Sequence, residues 1–470
     1  MRVGKHLIVA IFSFLLYWVV PNGTHWGLMV MCFVLFLLIS YDLLKDDFIN
    51  RDYISFNSIF LTSFFLTTFA FPVFILSSDS LLSQFTDLSM VVFQYVDFNY
   101  LARGVFLSLM AISIYAAVYL KNYKTVLVEK SSQHNRELSK KNIDMFLLII
   151  LMVTIFNAFY SLNTYAVTNL QQNAYVYDLL KASLVISFLA RIHDISKRPQ
   201  SSDRFILFIK NNLYPIIIAI IATLLFLYFG VRNLAISVVL IVVTVMVVYY
   251  TKISFKYVLV LLVIGTLSLF VIRETRHSDS SIMNSNLATT VAAANVKQTP
   301  ALLLFSDLIG ACQELSLGIE IKDKTGLQNP EQVVLLPFLP FPVLPSLVSN
   351  LLWDKSYQEA TAAFILNDYM LATSNKQASY GKHCVSDLYM KWGVLGVILF
   401  FAFLGKIIAT QNANKHNNYF SAAIIICLTS LSLFLARGSL IDLIRPMSYV
   451  YFMILLFSKK KSIIKLEMQE

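Results

Sequence analysis

The sequence predicts an all-α, polytopic integral membrane protein with about twelve transmembrane helices and one long outer loop. Three observations predict it. Hydrophobic residues make up 57% of the 470 residues and charged residues only 14%, against roughly 25% charged in soluble domains, which cannot bury such an apolar excess. The apolar residues come in blocks about as long as a bilayer is thick. The basic residues fall between those blocks, where the positive-inside rule puts them.

The blocks lie near 6–21, 25–43, 57–77, 101–120, 144–163, 174–191, 213–230, 233–250, 255–272, 389–409, 418–436 and 441–458. The first lacks a small-residue cleavage site, so no cleavable signal is expected. Connections KNYKTVLVEKSSQHNRELSKK (121–141), RIHDISKRPQSSDR (191–204), TKISFK (251–256) and KKKSIIK (459–465) are basic. The short alternate connections near 22–24, 78–100 and 163–173 contain no Lys or Arg. That asymmetry predicts both termini in the cytoplasm. Three regions follow: 1–272 with nine helices, 273–388 as a large outer loop with short helices, and 389–470 with three helices and a basic tail.

Several function classes are disfavoured. The net charge of +10 belongs to inter-span loops and does not indicate nucleic acid. No CxxC or metal-ligand spacing is present, so neither a metal nor another cofactor is expected. No internal repeat supports a transporter built from duplicated halves. Cys312 and Cys384 share the long loop; a disulfide between them is allowed but not required.

Arg232, in FGVRNLA, and Arg437, in LARGSLID, are the basic exceptions in tight outer turns. Each has two readings: it snorkels to headgroups or caps a helix end, or both converge on an anion. A guanidinium fork matches phosphate bidentately, so a lipid diphosphate is the natural ligand. Arg273 and Arg276, in RETRHS, would share a face at the foot of the long loop. Within that loop, KQTPALLLFSDLIGACQELSLGIE reads as a helix on or dipping into the membrane. The proline cluster LPFLPFPVLPS (336–346) reads as an extended segment on the interface.

The loop ends in GKHCVSDLYMKWGVLGV, residues 381–397. His383 is either a packed polar residue or a general base near neutral pH. Asp387, four residues on, would share its helical face and orient the imidazole. Tyr380 and Lys382 are candidates for sugar or phosphate contact, and Asp307 is an alternative base. Gly393 and Gly396 are expected to admit a neighbouring helix. Asp442 and Arg445, three apart in IDLIRPMSYV, either serve a site or satisfy each other, with Arg445 a further substrate-binding candidate.

FLYFGVRNLAISVVL, the long proline-bearing loop, HCVSDLYMKWGVLGVILFFAFLG and LFLARGSLIDLIR, in that order, resemble the Wzy-type O-antigen polymerases and, more distantly, the O-antigen ligases. The N-terminal half matches in hydropathy alone. The resemblance implies a GT-C-like, metal-independent glycosyltransferase in the bacterial inner membrane, active at the periplasmic face. It would transfer the growing glycan from undecaprenyl diphosphate to the terminal sugar of a second lipid-linked repeat unit. The same resemblance implies Arg232, Arg437 and Arg276 as outer arginines, His383 as a ligase-like histidine, and a chain-length regulator as partner. An O-antigen ligase and a lipid-linked oligosaccharide flippase are the rival readings; for the latter, Lys181 and Arg103 are the ionisable positions near mid-membrane.

Overall fold

The structure, a computed structural model, describes residues 2–78, 82, 97–128, 136–162, 174–192, 204–229, 231–254, 256, 308–355, 357–374 and 382–460. These residues are overwhelmingly helical. They form α1 (Arg2–Val19), α2 (Trp26–Asn50), α3 (Phe56–Thr68), α4 (Leu101–Val128), α5 (Lys140–Leu162), α6 (Ala174–Leu189), α7 (Phe205–Tyr228) and α8 (Arg232–Tyr249). After these come α9 (Ala311–Thr325), α10 (Leu344–Trp353), α11 (Ala362–Ser374), α12 (Cys384–Asn414), α13 (Tyr419–Leu435) and α14 (Ile444–Phe457). The described strands β1 (Arg136–Leu138) and β2 (Ser458–Lys460) pair antiparallel and tie the start of α5 to the end of α14.

Helices α2, α4, α5, α7 and α12 are long and apolar enough to cross a membrane. Their packing follows from which solvent each face meets. Along α12, Leu395, Leu399 and Phe403 repeat every four residues and are all exposed. Val34, Leu37 and Leu38 on α2 are exposed too, as are Met145, Leu148, Ile149 and Met152 on α5. Ionisable groups meanwhile turn inward: Asp387, Lys391, Lys181 and His6 are buried. Apolar surface outside and charge inside is the arrangement of a membrane-embedded protein. The centre is occupied by α4, whose most extensive pairing is with α12. That pairing requires a close approach at Gly405, where a Cβ would lie 2.7 Å from the Tyr115 backbone oxygen.

Hydrogen bonds sort the helix ends into two groups. At one end, the Gly23 amide donates to Asn99 (2.8 Å), the Cys384 amide to Ala436 (3.0 Å), and Ser316 Oγ to the Asp97 carbonyl (2.7 Å). At the other end, Tyr249 donates to the Lys415 carbonyl (2.8 Å) and Asn212 Nδ2 to Tyr250 (3.0 Å). Asp52 accepts from Lys415 there at 3.0 Å, and the Ser139 amide donates to Phe457 (3.1 Å). The helices therefore alternate in direction as the charge pattern requires. We call the first group the outer end.

Three expectations are corrected. The proline cluster is not extended: residues Pro330–Phe338 form a 3₁₀ helix and Leu344–Trp353 a helix with Pro345 in its first turn. There the missing amide hydrogen is one the helix would leave unpaired anyway. The apolar block 57–77 is not one continuous α-helix, because α3 ends at Thr68 and a π-helical turn, Phe71–Ile75, follows. Gly393 does not admit a neighbour. With φ 65° and ψ −160° it breaks α12, a conformation that only glycine adopts without strain. The block at 255–272 lies outside the described residues except for Lys256.

Gly405→Ala should lower the thermal midpoint of detergent-purified protein by several degrees, because a backbone oxygen cannot yield to the new methyl group, and overpacking costs ~1–3 kcal/mol. Gly4→Ala, with open space around it, should leave the midpoint unchanged. Equal midpoints for both variants would refute the close α4–α12 crossing.

Candidate functional site at the outer end of the broken helix

The break at Gly393 divides α12 into a short polar half, 384–392, and a long apolar half. The loop before α10 takes up what the break releases: the Gln328 amide donates to the Met390 carbonyl at 2.8 Å, and Trp392 Nε1 donates to the Pro330 carbonyl at 2.8 Å. The short half thus carries polar residues into a packed interior. Asp387 is fully buried, with Lys391 Nζ 2.6 Å from its Oδ1 and the Ser439 hydroxyl donating to its Oδ2. The same turn of chain that supplies Ser439 is also bound at Ala436, which accepts from the Cys384 amide. Arg437 lies between these two attachments and is therefore held beside the N-terminus of α12. It is half-buried and has no ion-pair or hydrogen-bond partner among the described residues.

Around this frame lie further charges. Lys382 is 3.3 Å from Asp442 in the 3₁₀ turn Leu440–Leu443, and that carboxylate raises the lysine above its ordinary pKa. Arg445 donates to Asp178 at 3.2 Å, and its guanidinium stacks 4.1 Å over the Tyr175 ring. Asp178 is shared with Lys181 at 2.7 Å. The turn Tyr357–Ala360 of the long loop approaches the same cluster. Burial pushes the Tyr357 phenol up, and the charges of Asp442, Arg445 and Asp387 also act on it.

Among the described residues the cluster carries more cations than anions. Lys181, Lys382, Lys391, Arg437 and Arg445 face Asp178, Asp387 and Asp442. Asp178 and Asp387 are engaged by Lys181, Arg445 and Lys391, and Asp442 by Lys382, so among the described residues Arg437 is the cation of the cluster without a partner. The first amides of α12 are already taken, Cys384 by the Ala436 carbonyl and Val385 by His383 Nδ1, so the helix end offers only the favourable end of its dipole.

His383 is brought to this place but not to this role. It is the N-cap of α12: its Nδ1 accepts the Val385 amide at 3.3 Å and its Nε2 is 3.2 Å from the Thr68 hydroxyl. It is fully buried with its ring near Phe64, and burial lowers its pKa to about 3. The imidazole is therefore neutral near pH 7 and both ring nitrogens are occupied. Asp387 does not orient it, because that carboxylate is taken by Lys391 and Ser439. Nor do Asp442 and Arg445 satisfy each other: Asp442 pairs with Lys382, and Arg445 with Asp178. Arg103, read from the sequence as near mid-membrane, pairs at the outer end with Asp323, which also accepts from Tyr389 at 2.9 Å. Cys312 and Cys384 are both buried, free thiols.

Arg232 is the first residue of α8 at the outer end, since that helix ends at Tyr249, beside Lys415 of the inner group; its side chain is outside the description. Arg273, Arg276, Asp307 and Tyr380 lie outside the described residues. Sequence reasoning missed Asp178, Lys391, Ser439, Tyr175 and Tyr357. Two of these had a signal: Lys391 is four residues after Asp387, and Asp178 three before Lys181, both spacings that place partners on one helical face. Among the described residues no group of His, Cys, Asp and Glu could hold a metal ion.

The His383 geometry has a pH consequence. Its folded-state pKa lies below the unfolded value of 6.5, so the stability it contributes is full above pH 6.5 and is lost as pH falls toward 3. The slope from this residue is at most ~1.4 kcal/mol per pH unit. His383→Gln should flatten the fall in thermal midpoint between pH 6.5 and 4.5, measured in detergent. An unchanged acid slope in the variant would contradict the buried neutral imidazole.

Compared with known protein families, with curated proteins and with solved structures, the chain matches none.

Proposed function

We propose that this chain is a polysaccharide repeat-unit polymerase of the Wzy type. In this reading it is a glycosyltransferase that moves a growing glycan from undecaprenyl diphosphate to the terminal sugar of a second lipid-linked repeat unit. The observation that carries the reading is Arg437, unpaired among the described residues and fixed beside the N-terminus of α12 by the Cys384–Ala436 and Asp387–Ser439 bonds. A diphosphate leaving group needs its departing negative charge held, and fixed cations do this without reorganising during the reaction.

The roles follow from what each group has left to offer. Arg437 binds the diphosphate, with Lys382 beside it at the same helix end. Arg232 and Arg276 join it as the sequence resemblance implies, and Arg273 adds charge at the loop foot. Arg445 is held by Asp178 and adds positive charge to the same cluster. In this reading Tyr357, near Asp442, meets sugar hydroxyls, with Tyr380 in the same role as the sequence suggests. Proton removal from the acceptor falls to an ionised carboxylate, with Asp442 the exposed described candidate and Asp307 the alternative. His383 acts as a cap and not as the base. The outer end is then the periplasmic face of a bacterial inner membrane, with both termini cytoplasmic and a chain-length regulator as a further partner.

The test is a strain that makes the matching polysaccharide but lacks this chain. Its lipopolysaccharide should keep a single repeat unit on the core and lose the ladder. Arg437→Ala should insert normally yet fail to restore the ladder, and Arg437→Lys should restore little, since an ammonium cannot reproduce a bidentate fork. Complete loss of glycan from the core would point to a ligase or flippase. Normal ladders from Arg437→Ala at native expression would defeat the diphosphate reading.

A further inference from the structure

From Gln332 to Trp353 the chain carries no charged residue, and its helical parts are folded inside out for water. On α10, the buried positions are Pro345 and Ser349, whereas Leu344, Leu347, Leu351 and Leu352 are exposed. Leu351 is 78% exposed, more than almost any other large apolar side chain in the described residues. Val333 and Val334 on the preceding 3₁₀ helix, and Phe341 in the bend between the two, are exposed as well. In water a patch of this kind is a liability; against hydrocarbon it is the stable choice. The pattern is that of α12, where Leu395, Leu399 and Phe403 also face outward.

The patch is continuous with the apolar belt of the spanning helices. The Phe341 ring packs 6.3 Å from the ring of Phe452, itself exposed on α14. The Pro330 carbonyl is bound by the Trp392 indole, and that indole stacks 5.1 Å from Phe400 on α12. An indole with its N–H engaged and its face on apolar rings is typical of the headgroup level of a bilayer. The charged residues resume at both margins, Glu331 before the patch and Asp354 and Lys355 after it, where a segment leaving the acyl boundary meets water.

We infer that residues 330–353 form a monotopic plate that lies in the outer-end leaflet, with the leucine face of α10 seated against lipid acyl chains. The occupant is the bilayer itself: the face continues a surface already lined for lipid, and an amphipathic helix buried about 5–10 Å at the headgroup boundary matches its length and pattern. Neither a soluble partner nor a second copy is needed to cover it. This inference does not depend on the enzymatic reading. It adds that the long loop is not wholly in the aqueous phase, and that the turn bearing Tyr357, only a few residues beyond Trp353, leaves the membrane surface beside the charge cluster.

The test uses the full chain in phosphatidylcholine vesicles. All four native cysteines are buried, so a nitroxide can be placed selectively at Leu351→Cys, with Lys355→Cys as the margin control. Collision with oxygen, which concentrates in the acyl region, is compared with collision with a water-soluble nickel chelate. We expect a several-fold excess of oxygen over nickel accessibility at 351 and the reverse at 355. Leu347→Cys provides the same reading if the first variant does not fold. Nickel accessibility at 351 and 347 equal to that at 355 would overturn the inference. Dipolar broadening at 351 that disappears on dilution with unlabelled protein would also overturn it, because a second copy would then be the cover.

Discussion

The buried ion pair of Asp387 and Lys391 is the constraint on which the outer end depends. Two charges removed from water cost several kcal/mol each, and they repay it only when geometry is good and the remaining lone pairs are satisfied. Here the lysine lies one helical turn from the carboxylate and Ser439 fills its second oxygen. That requirement pulls the 436–439 turn onto the first turn of α12 and thereby fixes where Arg437 can be. The break at Gly393 is the other half of the same device. A continuous apolar helix would carry no polar turn at this depth, so the chain ends one helix and begins another, and it hands the released carbonyl to Gln328.

The rest of the cluster obeys the same rule of compensated charge. Asp178 answers both Lys181 and Arg445, and Asp442 answers Lys382. A site built this way is rigid because moving any member strands its partner in a poorly solvating environment. Among the described residues Arg437 is the member without such an obligation, which is why the proposed diphosphate contact is placed on it. The buried His383 contributes by capping α12 and locking it to Thr68 of α3, so the histidine is part of the scaffold that aims the helix end.

Much of the fold was legible because hydropathy records which solvent a residue meets. Ten of the predicted blocks each overlap one described α-helix, and the block 57–77 is split between α3 and the π-helical turn. Boundaries inside the polar stretches were less legible. The prolines of 336–346 suggested an extended chain, since sequence alone does not reveal that Pro345 falls in a helix's first turn. Charge partners were legible only within a helix. Asp387 with Lys391 is an i,i+4 pair, whereas Lys382 with Asp442 and Arg445 with Asp178 join segments far apart in the chain, and nothing in local spacing announces them. His383 looked like a base because type and neighbours were visible while its burial was not.

A double-mutant cycle on the central pair tests this account most directly. Asp387→Asn leaves a buried ammonium unpaired and Lys391→Met leaves a buried carboxylate with one hydroxyl; each should lower unfolding stability in detergent by roughly 3–5 kcal/mol. Combining them removes both charges, so the double variant should be more stable than either single one. Losses that simply add would contradict the claim that this ion pair holds the outer end of α12 together.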